Sequence, residues 1–146
     1  MLFRSVYCAI MSLEEQFRRG IDEFNGGSYF ECHDTLEDLW HGTRGPDRRF
    51  LQGLIQVSVG FYHLLNGNYK GAASQFTRGL EKLDGYRPSY KGVELDEFTT
   101  AVVHWLMIAE RGIHEKHVEI DASRIPKVSI TITHSSKEKS YGNDDN

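Results

Sequence analysis

Apolar residues recur along this chain three and four positions apart in five blocks, each closed by a short glycine- or polar-rich break. The blocks predict helices over residues 13–24, 29–41, 46–65, 69–83 and 94–111, with Gly-Gly and Asn-Gly pairs as stops. Ser12 and Glu15 stand at capping-box spacing, which sets the start of the first helix. Pro46 occupies the first-turn position that suits proline in the third. Alternation of period two appears only over residues 127–133, where Val128, Ile130 and Ile132 alternate with polar residues and predict a lone edge strand or an arm. The expected fold class is therefore all-α, a single compact bundle of about five helices built from antiparallel helical hairpins.

The second predicted helix breaks the simple division into apolar and polar faces. His33, Glu37 and Trp40 fall at i, i+4 and i+7, on a face shared with Cys32 and Leu36. An ionisable pair directed at a core needs partners, because burying it alone is costly. The third helix offers them as a stripe of Arg48, Gln52, Gln56 and His63 beside Leu51, Leu54, Ile55 and Val59. Residues 41–45 are a short connection that favours an antiparallel hairpin, and counting outward from it pairs Trp40 with Arg48, Glu37 with Gln52 and His33 with Gln56. His63 is expected about two turns beyond Gln56. The predicted binding cluster is thus His33, Glu37, Trp40, Arg48, Gln52, Gln56 and His63, buried between the second and third helices.

The segments NGGSYFECHDTLEDLW, FLQGLIQVSVGFYHLLNGNYKGA and RGLEKL resemble the domain-of-unknown-function family numbered 309. The resemblance runs from about residue 21 to 83, with weaker likeness to about 112, and its most specific marks are His33-x-x-x-Glu37-x-x-Trp40 and the Gln52 to His63 helix. It implies a small all-helical fold and carries no established activity.

With 146 residues and 39% hydrophobic content, one core is affordable and two are not. The expected organisation is an N-terminal extension over residues 1–11, a helical bundle domain over 12–117 and an extended or disordered tail over 118–146. The first eleven residues are too short and mixed for a signal-peptide core or a membrane span. A formal net charge of −4 gives no general pull toward nucleic acid or an anionic membrane, so neither is expected as a partner. Two cysteines, Cys8 and Cys32, make no disulfide framework, which fits a cytoplasmic location.

Candidate chemistry is sparse. His33, Glu37 and His63 supply donors suited to a divalent metal, with His104 as a fourth, but the His-Glu-x-x-His and Glu-x-x-His signatures are absent. His33 and Glu37 also suit a general base and its orienting acid, yet Cys32 and Thr35 beside them point to neighbouring or opposite faces, and no obvious nucleophile, phosphate loop or dinucleotide fingerprint accompanies them. No catalytic residue and no cofactor is therefore assigned. Arg48 and Arg49 open the third helix while Arg78 and Lys82 stand one turn apart on the fourth, a set able to grip an anion or to serve as a solvated face. His114 and His117 read as a charged helix end.

An internal echo points elsewhere. Gly27, Tyr29, Cys32, Leu36 and Trp40 align, forty residues on, with Gly67, Tyr69, Ala72, Phe76 and Leu80. This resembles part of a tetratricopeptide repeat, whose helix pairs stack, although two copies are too few for a solenoid. The leading expectation is a non-enzymatic module for interaction with an unknown protein partner or with itself. The alternative is a metal- or small-ligand-binding protein, a hydrolase in its active version, using His33, Glu37 and His63.

Overall fold

In the computed structural model, which describes residues 11–131, Ser12 starts the first helix by the expected reciprocal cap. Its hydroxyl accepts from the Glu15 amide and the Glu15 carboxylate accepts from the Ser12 amide. The helices are α1 (Leu13–Asn25), α2 (Tyr29–His41), α3 (Pro46–Leu65), α4 (Tyr69–Asp84) and α5 (Asp96–Glu115). Between α4 and α5 lies an antiparallel pair, β1 (Ser89–Tyr90) and β2 (Val93–Glu94), with Tyr90 opposite Val93. A 3₁₀ turn, Ala122–Arg124, follows α5. The all-helical expectation holds, and both ends of α2 and of α3 fall where the pattern places them.

Each helix packs chiefly on its neighbours in sequence. The first two hairpins turn in the same way. Gly27 and Gly67 adopt φ of 81° and 75°, a left-handed backbone that glycine enters without steric cost. The amide of Ser28 then bonds the Glu23 carbonyl as that of Asn68 bonds the His63 carbonyl. Cys32 and Ala72, and Leu36 and Phe76, occupy equivalent buried positions in the following helices.

The core centres on Phe61, which is fully buried in α3. Its ring meets Phe24 of α1 at 5.9 Å, Tyr29 of α2 at 5.5 Å, Phe76 of α4 at 4.7 Å and Trp105 of α5 at 6.0 Å. Edge-on and tilted contacts at these distances are the favoured ring geometries. Two features of α5 depart from the expected residues 94–111. It starts later, because Val93 and Glu94 join the strand pair and Leu95 is buried at the helix entrance. It runs past Gly112 because the Tyr69 ring packs where a Cβ would be, 2.5 Å away, so the glycine serves helix contact rather than termination.

Past the 3₁₀ turn the chain docks on the bundle. Ile125 and Val128 are buried, and the Asn25 side chain both donates to the Val128 carbonyl, at 2.9 Å, and accepts from its amide, at 2.7 Å. The expected edge strand reduces to a single bridge between Ile130 and Val93. The expected N-terminal extension over residues 1–11, apart from Met11, and the expected disordered end after residue 133 lie outside the described residues. Among the described residues, no helix is long and apolar enough to cross a membrane.

Candidate binding site

His33 sits on the outer side of α2, where its Nε2 lies 2.7 Å from Glu37 Oε2 and its Nδ1 3.3 Å from Asp34 Oδ1. Glu37 also approaches His41 Nε2, at 3.7 Å. The side chains of His33 and Glu37 are 28% and 42% exposed, so the pair lies at the rim of the α2–α3 contact. This corrects the expectation of a buried cluster: the face of α2 that reaches the core is carried by Tyr29, Cys32, Thr35, Leu36 and Leu39, and His33 and Glu37 flank it. A rim position lets water take up the bonds that burial would have left to partners.

Away from the connection the side chains that meet are displaced from the loop count by about one helical turn. Phe30 meets Tyr62 ring to ring at 5.5 Å, and His33 lines a groove of about 180 Å³ together with Tyr29, Phe30, Val59, Tyr62 and His63. His33 and His63 thus share a groove, the second without the intervening two turns that counting implied. His63 Nδ1 lies 3.4 Å from the Asn68 side-chain nitrogen. Phe30 is 50% and Tyr62 40% exposed, so two large aromatic faces stand in solvent beside the groove. Neither is singled out by helical periodicity, since both lie just off the apolar stripe of their helices; the missed signal is an aromatic residue next to a polar stripe on each of two paired helices.

Trp40 and Arg48 do meet as counted. The guanidinium lies 3.7 Å from the indole centroid, and Arg48 Nη1 donates to the carbonyls of Trp40 and Thr43, each at 3.0 Å. Arg48 therefore ties the 42–45 connection to both helices through stacking and two charge-assisted bonds. Trp40 Nε1 is buried without an acceptor among the described residues.

Gln52 and Gln56 are half-buried on α3, but Gln56 turns away from α2. Its Oε1 accepts from Lys82 Nζ of α4 at 2.8 Å. Six of the seven residues of the predicted cluster are therefore divided three ways, with His33, Glu37 and His63 around the α2–α3 groove, Trp40 and Arg48 at the connection, and Gln56 on the α3–α4 seam, while Gln52 is half-buried on α3.

Among the described residues, no three or more His, Cys, Asp or Glu side chains are placed together for a metal ion. His33 and Glu37 form a pair, and His104 lies on α5 in a different groove with Arg87, Asp96 and Arg124. Cys32 is buried, and burial pushes its thiol up to about 12, which keeps it in the unreactive protonated form. Thr35 is buried and donates to Glu23 Oε1 at 2.5 Å.

A larger depression of about 590 Å³ opens at the far end of the hairpins between Phe17, Leu39, Phe50 and Lys91. At its edge Asp47 accepts from Lys91 and Tyr90, and these bonds hold its carboxyl below the usual carboxylate range. The arrangement anchors the β1–β2 turn to the start of α3.

With this geometry established, residues 17–75 match the model of the family described as a domain of unknown function, DUF309. The match covers most of α1, all of α2 and α3 and the first part of α4, and agrees with the resemblance read from the His33 to Trp40 motif and the α3 segment. The chain is also 32% identical over 69 residues to the uncharacterized protein YpuF of Bacillus subtilis (strain 168). That stretch covers 47% of this chain and 40% of the relative's length.

Proposed function

We propose that this protein is a non-enzymatic helical interaction module that joins a second copy of itself through the outer face of α2 and α3. The observation that carries the reading is the pair of exposed aromatic rings, Phe30 and Tyr62, 5.5 Å apart beside a shallow groove. Large aromatic side chains left in solvent at an apolar groove are the usual anchors of protein interfaces. The repeated turn of the two hairpins, whose sequence resembles part of a tetratricopeptide repeat, supports a surface used for association. The rim of His33, Glu37 and His41 supplies the polar border that such interfaces carry.

Sedimentation equilibrium across a range of protein concentrations tests it. The wild type is expected to associate reversibly, whereas Phe30→Glu combined with Tyr62→Glu remains monomeric and melts close to the wild type, both positions being exposed. A wild type that is monomeric throughout, or a double variant that still associates, sinks self-association.

A second reading rests on the 2.7 Å contact between His33 and Glu37 beside the groove. There, Glu37 takes up Nε2 and orients the imidazole, so that Nδ1, 3.3 Å from Asp34 Oδ1, is the nitrogen that would hold a small ligand or one coordination position of a divalent metal, with His63 across the groove. Elemental analysis of untagged, chelator-free protein, wild type against His33→Ala, separates this reading from the first.

A further inference from the structure

Where α2 ends and α3 begins, the depression of about 590 Å³ falls within the size range of small-molecule sites. Its floor is apolar: Leu39, Phe50 and Leu51 are buried, and the half-buried Phe17 ring stands 6.3 Å from that of Phe50. The surrounding walls are tied together by hydrogen bonds. Arg48 donates to the Thr43 carbonyl at 3.0 Å, the Thr43 hydroxyl donates to the Leu39 carbonyl at 2.7 Å, and the Tyr86 hydroxyl donates to the Pro46 carbonyl. The polar groups of the lining are mostly committed within the protein. Asp47 accepts from Tyr90 and Lys91, the Thr43 hydroxyl is spent on Leu39, and the exposed Glu14 carboxylate lies 3.9 Å from Arg18. Arg44 differs: among the described residues its side chain has no hydrogen-bond or ion-pair partner. An unspent guanidinium thus stands on the wall of an apolar cavity.

We propose that this depression binds a small amphipathic carboxylic acid, its apolar body on Leu39, Phe50 and Leu51 and its carboxylate on Arg44. A guanidinium offers paired N–H groups that match the two oxygens of a carboxylate. The floor supplies most of the affinity, since each methylene it takes from water tightens binding about fourfold. A singly charged head suits the lining better than a phosphate. Asp47 shares that lining, and the bonds from Lys91 and Tyr90 that hold its carboxyl below the usual range keep it ionised, so a second negative charge on the ligand would be repelled.

The test is calorimetric titration of the full chain with octanoate, below its micelle concentration and at constant ionic strength, against hexanoate, octanol and octylamine. Octanoate is expected to bind saturably and hexanoate about fifteenfold more weakly, for the loss of two buried methylenes. Arg44→Gln, a change at an exposed position that should leave the melting temperature unaltered, is expected to weaken octanoate about fivefold and to leave octanol binding unchanged. Nuclear magnetic resonance of the methyl groups locates the ligand: octanoate should move the signals of Leu39 and Leu51 and spare those of Leu64 at the opposite end of α3. Absence of saturable octanoate binding, or unmoved Leu39 and Leu51 methyls, overturns the proposal. So does an Arg44→Gln variant that binds octanoate as the wild type does. Tighter binding of octylamine than of octanoate overturns it in favour of a cationic ligand drawn to Asp47 and Glu14.

Discussion

The α1–α2 and α3–α4 hairpins use one turn twice, forty residues apart, and load it differently. At the helix crossing Gly20 faces Leu36 in the first, and Gly60 faces Phe76 in the second. Gln16 and Gln56 are also equivalent, yet Gln16 is buried and donates to the Thr35 carbonyl, whereas Gln56 lies half-buried and accepts from Lys82. The position of Ile21 becomes Phe61, and with it the second hairpin acquires the ring around which aromatics from four other helices gather. The comparison teaches that a shared turn sets how two helices meet, while a few side chains decide which hairpin organises the core and which carries polar work outward.

The sharpest way to break the comparison is truncation at its centre. Phe61→Ala is expected to cost about 4 kcal/mol, because it empties a volume bounded by four rings, against about 2.5 kcal/mol for Ile21→Ala at the equivalent place. Urea unfolding of the two variants checks this, and equal losses would deny the second hairpin its central role. The crossings come next. A Cβ at Gly60 would stand 2.5 Å from two atoms of the buried Phe76 ring, whereas at Gly20 it meets the branched end of Leu36. Gly60→Ala should therefore destabilise by about 2 kcal/mol and Gly20→Ala by about 1 kcal/mol, the better helix propensity of alanine offsetting part of each strain. The smallest difference lies in the turns. The Asn68 side chain accepts from the Gly71 amide at 2.9 Å, while Ser28 makes no side-chain cap bond. Asn68→Ala should lower stability by about 1 kcal/mol and Ser28→Ala by only a few tenths, on the usual scale for caps. Matched thermal melts would show it.

What was legible in the sequence was local. Ser12, Pro46 and the paired turn residues act within a few positions of themselves, so helix boundaries followed from them, and the echo of Gly27 and Tyr29 in Gly67 and Tyr69 reappears in matching backbone bonds. The site was less legible, for a geometric reason. Periodicity gives the direction a residue takes around its own helix, but α3 packs on both α2 and α4, and a polar stripe at their border can turn to either. Gln56 turned to α4, and His33 and Glu37 stayed at the rim. The strand pair was missed because two residues per strand are too few for alternation to register.

Most of this protein's packing joins helices that are neighbours in sequence, a topology whose contacts form early and quickly. The Asn25 side chain is an exception, since its bonds to Val128 close a loop of 103 residues. The entropy of so wide a loop is recovered only once the intervening helices have compacted. Asn25 and Val128 therefore make a latch that closes favourably only on a compacted bundle, and the Val128 amide is expected to gain protection from exchange late in folding.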